Sequence, residues 1–225
     1  APPTPPPGVH AARWLLQSLD DLLVEAHREP GSAFNLETWR LPYHEAELQE
    51  GRKLLAELSL SGVILIHPGA GAVWKRWPAA RFANTGMELL RRGLRVSLVE
   101  GPADGEAVAA VQRHATEPFS VLPPMPIRRL GAILSLAPCY LGNDSGVTHL
   151  AGAVGTPTVA LFGPTDPTTW KPLGETTVLR HCKATSRPDT GMRVCDDPTC
   201  LEAITVDEVV RGIEQAIVQN RVENR

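Results

Sequence analysis

Between Gly62 and Leu179, short apolar runs alternate with longer stretches whose apolar residues recur at helical spacing. Strands that are each separated by a helix cannot pair as hairpins. They need crossover connections, so the predicted fold class is α/β, with a parallel sheet and helices packed on it. The strands read from the sequence are 63–66, 94–99, a short one around Val121, one ending at Leu141, 157–162 and 176–179. Among the helices, the first has Pro78 at its start, Phe82, Ala83 and Leu90 on one face, and Gly93 as its stop. The next begins near Ala103, another places Ile127, Leu130 and Leu134 on one face, and another begins at Ser145. A closing helix opens with the capping box Thr205 and Glu208 and carries Val206, Val209, Val210, Ile213 and Ile217 as one stripe.

Four segments follow. Residues 1–8 hold five prolines and read as a linker or truncated end; residues 9–61 read as a helical linker region. In the latter, Ala12, Leu15, Leu16, Leu19, Leu22 and Leu23 make one apolar stripe, and a helix after Pro42 turns Leu48, Leu55 and Leu58 one way. Residues 62–182 form the Rossmann-like domain. Residues 183–225 supply a Cys-containing loop and the closing helix, expected to pack on the domain or to associate through its stripe, because soluble monomers avoid large exposed apolar patches.

Composition removes several classes of function. With 22 Lys and Arg against 25 Asp and Glu, the chain lacks the basic excess that a nucleic-acid surface requires, so no nucleic-acid partner is expected. No apolar run reaches the ~18 residues of a membrane span, and the Pro-rich start has neither the charged nor the apolar region of an export signal. Four cysteines in 225 residues are too few for a disulfide framework; they read as reduced thiols of a cytoplasmic protein. Cys182, Cys195 and Cys200, with His181, match no standard zinc spacing, and no metal site is expected.

Three loops follow predicted strands. In HPGAGAVWKRWP (67–78), Gly69 and Gly71 allow close backbone approach, and Lys75 and Arg76 add cations ahead of a helix N-terminus. Such a loop suits a phosphate or diphosphate. On spacing alone a glycine turn with two solvated cations is the other reading, and the loop is neither the dinucleotide fingerprint nor a Walker loop. In LGNDSGVTH (141–149), Asn143, Asp144 and Ser145 gather at the carboxyl edge of the sheet, with His149 one helical turn after Ser145. A carboxylate there can accept from sugar hydroxyls; a helix cap beside a packing histidine is the other reading. The third turn, FGPTDP (162–167), brings Thr165 to the same edge. Trp77 and Trp170 flank this crevice, as ring-stacking or as packing residues.

The segments HPGAGAVWKRWP, VSLVEGPAD and GNDSGVTHLAGAVGTPTVALFGPTDPTTW resemble, in order and spacing, the C-terminal domain of the ADP-heptose:lipopolysaccharide heptosyltransferase family, glycosyltransferase family nine. The resemblance implies the C-terminal half of a GT-B fold. It implies Lys75 on the donor diphosphate, where it would also stabilise the leaving group, Glu100 at the ribose or base, and Asp144 on the transferred sugar. Ser145, Gly146 and His149 would line the phosphate end. The donor would be ADP-heptose or a related nucleotide sugar, the acceptor lipopolysaccharide core or another glycan, and transfer would invert the anomeric carbon with no metal or other cofactor. The location implied is cytoplasmic, with peripheral association at the inner membrane face left open.

Family members carry an N-terminal acceptor domain whose Gly-Asp motif supplies the general base. Only the Pro-rich end and two helices precede the donor domain here, so the chain is expected to be a fragment needing a partner domain. A non-catalytic sugar-nucleotide-binding protein and a GT-B nucleotide-sugar epimerase are the competing readings.

Overall fold

The computed structural model describes residues 5–6, 8–14, 40–181 and 199–223. Six parallel strands, β1 (Ile64–His67), β2 (Val96–Val99), β3 (Ser120–Leu122), β4 (Tyr140–Asn143), β5 (Thr158–Leu161) and β6 (Thr176–Leu179), lie in the order β3-β2-β1-β4-β5-β6. The central strands β1, β2, β4 and β5 are buried throughout, as strands covered on both faces must be, while the edge strands β3 and β6 are only partly covered. The order reverses between β1 and β4, which pair through Leu65 with Tyr140 and His67 with Gly142. At such a switch point the loops leaving two neighbouring strands diverge and open a crevice.

From residue 40 onward the described α-helices are α1 (Glu45–Glu57), α2 (Ala79–Arg91), α3 (Gly105–His114), α4 (Ile127–Ser135), α5 (Gly146–Ala153), α6 (Pro167–Trp170) and α7 (Val206–Glu223). One face of the sheet is covered by α2, α3 and α7, whose Phe82, Leu89, Val111, Val209 and Ile213 share a core with Ile64 and Leu98. The other is covered by α1, α4 and α5, with Leu55, Ile133, Leu134 and Ala151 packed against Leu65 and Tyr140. Arg128 on α4 reaches Glu47 on α1 at 2.6 Å, and the two helices pack together. No described helix is long and apolar enough to cross a membrane.

The strands fall where the alternation predicted them, and the parallel Rossmann-like sheet expected from the sequence is the sheet found. Three residues depart from the predicted helix faces. Helix α2 buries Phe82, Gly86 and Leu89, so Leu90, one residue further round, sits on the flank at 39% exposure. Leu58 ends α1 as its C-cap, and the following Ser59 turns the chain with φ 57; Leu60, not Leu58, then enters the core. Ile127 opens α4 at the carboxyl edge and remains 72% exposed.

The closing stripe packs on its own domain: Val209, Val210 and Ile213 are fully buried, and α7 lies against α2, β5 and β6. Thr205 and Glu208 form the capping box, with Thr205 N–H donating to the Glu208 carboxylate and Glu208 N–H donating to Thr205 Oγ1. Most of the stripe from Ala12 to Leu23 lies outside the described residues. Just before it Ala11 is buried, and His10 Nε2 is 2.8 Å from the carbonyl oxygen of Lys171.

A fully buried isoleucine truncated to alanine costs about 3 kcal/mol, whereas an exposed leucine costs under about 0.5. Ile213→Ala should therefore lower the urea midpoint sharply while Leu58→Ala leaves it nearly unchanged. Similar midpoints for the two variants would mean that α7 is not part of the core.

Candidate functional site

The loop from β1 to α2 is fastened at both ends by one side chain. Asn143, the last residue of β4, is fully buried; its Nδ2 donates to the carbonyls of Pro68 (2.9 Å) and Gly69 (3.2 Å), and its Oδ1 accepts from Trp77 N–H (2.9 Å). Only a carboxamide carries both donors and an acceptor in this arrangement. Trp77 is 2% exposed, donates from Nε1 to Ile204 O and meets Phe82 edge-to-face at 5.0 Å. It is therefore a core anchor and does not border the crevice. With its ends held, the loop forms a 3-10 turn, Val73–Lys75, that leaves Val73 and Trp74 exposed and turns Lys75 inward. Trp170, on α6, is half-buried.

Lys75 Nζ lies 2.7 Å from Asp144 Oδ2, and Thr165 Oγ1 donates to the same oxygen at 2.7 Å. His149 Nε2 stands 3.7 Å from Asp144 Oδ1. Three loops, following β1, β4 and β5, thus converge on one buried carboxylate. Burial pushes the Asp144 pKa up, but His149, Lys75 and Thr165 around it outweigh that and bring it down to about 2. Lys75 has three ammonium hydrogens and is still partly open to solvent, so it can hold Asp144 and an incoming anion together.

The remaining predicted residues take separate positions. A Cβ at Gly69 would collide with Asp104 and His67, so that glycine is required by packing; Gly71 faces open space and is the one a ligand can approach. Ser145 caps α5, its Oγ accepting from Thr148 N–H at 3.4 Å, and the same Oγ lies 3.4 Å from His67 Nδ1. Gly146 is exposed at the first position of α5. Arg76 turns to the far flank of the loop, toward Ala70 O at 3.5 Å and a groove shared with Phe82, Glu106 and Ala107. Glu100 stands at the mouth of an apolar cavity of about 330 Å³ walled by Met125, Ile127, Leu130, Val147 and Leu150.

Cys139 is buried, and desolvation pushes its thiol up to about 12, so it is chemically inert. Cys200 is also buried; Cys182 and Cys195 lie outside the described residues. Among the described residues no three His, Cys, Asp or Glu side chains gather as metal ligands would.

Two buried polar residues were not assigned from the sequence. His67, 2% exposed, meets Asp104 at 2.9 Å through Nε2, and Asp104 also accepts from Gly101 N–H at 3.1 Å. The His67 hydrogen bond, acting against desolvation, holds the Asp104 carboxyl below its usual range. The available signal was a polar residue ending an otherwise apolar strand, but its partner lies 37 positions away. The polar character of Asn143 is visible in the sequence, whereas its clamping of Pro68, Gly69 and Trp77 appears only in the fold.

An open parallel sheet in this order, with polar loops converging at its switch point, is a Rossmann-like α/β domain of the kind found in GT-B architecture. The family model "Glycosyltransferase family 9 (heptosyltransferase)" matches residues 23–193, and the chain belongs to that family. Lipopolysaccharide heptosyltransferase 3 of Escherichia coli is 35% identical over 130 residues, covering 54% of this chain and 38% of that protein. The protein of the same name from Escherichia coli strain K12 is 28% identical over 178 residues, covering 75% and 52%. This chain thus spans about half the length, or less, of these relatives. Among solved structures, the family 9 glycosyl transferase of Veillonella parvula DSM 2008 superposes with a TM-score of 0.73 at 24% identity, over 93% of this chain and 60% of that one. The Escherichia coli ADP-heptose lps heptosyltransferase II gives 0.65 at 24%, over 81% and 54%. At that identity both bear on the fold alone.

Because the Asp144 pKa is depressed in the folded chain, its contribution to stability is present above the unfolded value near 4 and is lost as pH falls through about 2. It amounts to about 2 kcal/mol. Denaturation followed from pH ~5 down to ~2 should therefore show wild type losing about that much more stability than Asp144→Asn. Parallel curves for the two would mean that the carboxylate is not held ionised by its neighbours.

Proposed function

We propose that this chain is the donor-binding half of a heptosyltransferase-like enzyme, holding an ADP-heptose-type sugar nucleotide for inverting transfer to a lipopolysaccharide core acceptor. The observation that carries the reading is the meeting of Lys75, Asp144 and Thr165, from three successive carboxyl-edge loops, beside the N-terminus of α5. Lys75 and the first-turn amides of α5 suit a diphosphate, and they offset its charge without a metal. The apolar cavity walled by Met125, Ile127 and Leu150 suits a purine, with Glu100 at its mouth suited to ribose hydroxyls. Asp144 accepts hydroxyls of the sugar; membership of the heptosyltransferase family and likeness to lipopolysaccharide heptosyltransferases support a heptose donor and a lipopolysaccharide acceptor.

In the transfer, an acceptor hydroxyl attacks the anomeric carbon as the bond to the β-phosphate oxygen breaks. The departing ADP keeps the electron pair, where Lys75 stabilises it. The hydroxyl proton needs a base. Asp144, with a pKa of about 2, is a poor one, and Asp104 is committed to His67. The base is accordingly assigned to an acceptor-side domain facing this edge, as in the architecture the family uses.

A charge-assisted hydrogen bond contributes about 1.5–3 kcal/mol, so Lys75→Ala should weaken ADP-heptose binding by about ten- to a hundredfold by calorimetry. Asp144→Ala should weaken ADP-heptose far more than ADP, which presents no sugar hydroxyls to the carboxylate. An unchanged affinity in the first variant, or equal losses for the two ligands in the second, would remove these residues from the proposed roles.

A further inference from the structure

The stretch VWKRWP carries two tryptophans, and the fold gives them opposite roles. Trp77 is sealed in the core. Trp74 is 57% exposed, the only aromatic side chain among the described residues that is more than half open to solvent. Exposed aliphatic residues scattered singly are ordinary on a protein surface, but an indole left open forgoes the burial of one of the largest apolar side chains.

The direction of Trp74 follows from the turn that carries it. Lys75 N–H donates to Ala72 O at 3.1 Å and Arg76 N–H to Val73 O at 2.9 Å, and in such a 3-10 turn side chains three apart lie one above the other. Val73 and Arg76 accordingly share the groove on the far flank, together with Pro78 and Phe82. Trp74 does not line that groove and keeps company with Lys75 instead. The Lys75 ammonium stands over the indole, 5.4 Å from the ring centre, and the same ammonium is 2.7 Å from Asp144. A flat apolar ring and a buried carboxylate thus have one cation as their common neighbour, at the edge where the three loops converge.

That combination matches the chemistry of a sugar ring. A pyranose carries hydroxyls around its rim and C–H bonds on its faces. The rim calls for hydrogen-bonding groups, which Asp144 and Thr165 supply. The faces call for an apolar plane, and their hydrogens, on carbons that bear oxygen, carry partial positive charge that the negative face of an indole attracts. No residue of the β1–α2 loop borders the apolar cavity suited to the purine, so stacking on the base does not fall to Trp74. The loop is held at both ends by Asn143, which lowers the cost of ordering the indole when a ligand arrives.

We infer that Trp74 is the apolar wall of the sugar subsite, stacking on a face of the sugar whose hydroxyls Asp144 accepts. This rests on the donor-binding reading above. It makes Trp74 a specificity residue, favouring a ligand that presents a C–H face and contributing little to one that ends at the β-phosphate.

The test is calorimetry on the full chain with ADP-heptose and with ADP. Trp74→Ala should weaken ADP-heptose about tenfold and leave ADP within about twofold of wild type, and Trp74→Phe, which keeps a ring face, should recover most of the loss. Because the indole is exposed, both variants should keep the wild-type urea midpoint. On the unmutated chain, the Trp74 indole N–H signal in 15N spectra, identified by its absence from Trp74→Phe, should move further with ADP-heptose than with ADP. Unchanged ADP-heptose affinity in Trp74→Ala, a Trp74→Phe variant no better than Trp74→Ala, or an indole signal that responds alike to both ligands overturns the inference and leaves the donor site standing. Equal losses of ADP-heptose and ADP in Trp74→Ala would mean that the indole acts by holding Lys75, and overturn it as well. Absence of any ADP-heptose binding by wild type overturns the donor reading and the inference together.

Discussion

The carboxamide of Asn143 holds the site together. Without it, the eleven-residue segment from Pro68 to Pro78 would keep the Trp77 indole on Ile204 and the Lys75–Asp144 pair, but its backbone would lose the three bonds that fix both ends of the turn carrying Lys75. All three hydrogen bonds come from one fully buried side chain. Each also satisfies a backbone group that burial would otherwise leave unpaired, at a cost of about 1–3 kcal/mol apiece. The clamp works because Asn143 ends β4 next to β1, at the point where strand order reverses, so the residue that fixes one loop also begins the other.

On that frame the electrostatics divide the edge into two sides. Asp144 is surrounded by Lys75, Thr165 and His149, and stays ionised despite burial. The α5 N-terminus, capped by Ser145, presents partial positive charge a short distance away. A carboxylate that accepts hydroxyls beside donors that meet phosphate oxygens is the arrangement a sugar diphosphate requires. The same pairing explains why Asp144 is unsuited to remove a proton: the contacts that keep it charged make it a weak base.

Much of this was legible in the sequence, for identifiable reasons. Strand and helix alternation gave the parallel sheet because each apolar run was too short and too isolated to be anything else. Motif order placed Lys75, Asp144 and Thr165 on successive loops at one edge. Side-chain direction was less legible. Arg76 adjoins Lys75 in sequence yet faces the opposite flank, because a 3-10 turn ends between them. Trp77 went to the core because its backbone N–H is the one Asn143 holds and its indole reaches Ile204, 127 positions away. His67 with Asp104 could not be paired at all, since neither local spacing nor composition marks a contact made only when β1 and the start of α3 are brought together.

The central claim is that Asn143 acts on the site by placing Lys75, and a double-mutant cycle on ADP-heptose affinity tests it. Asn143→Ala and Lys75→Ala should each weaken binding, and the loss from Asn143→Ala should largely disappear when Lys75 is already alanine, giving a coupling of at least about 1 kcal/mol. Losses that simply add, with Asn143→Ala as damaging in the Lys75→Ala background as in wild type, would show that the clamp and the lysine act independently and would contradict the account.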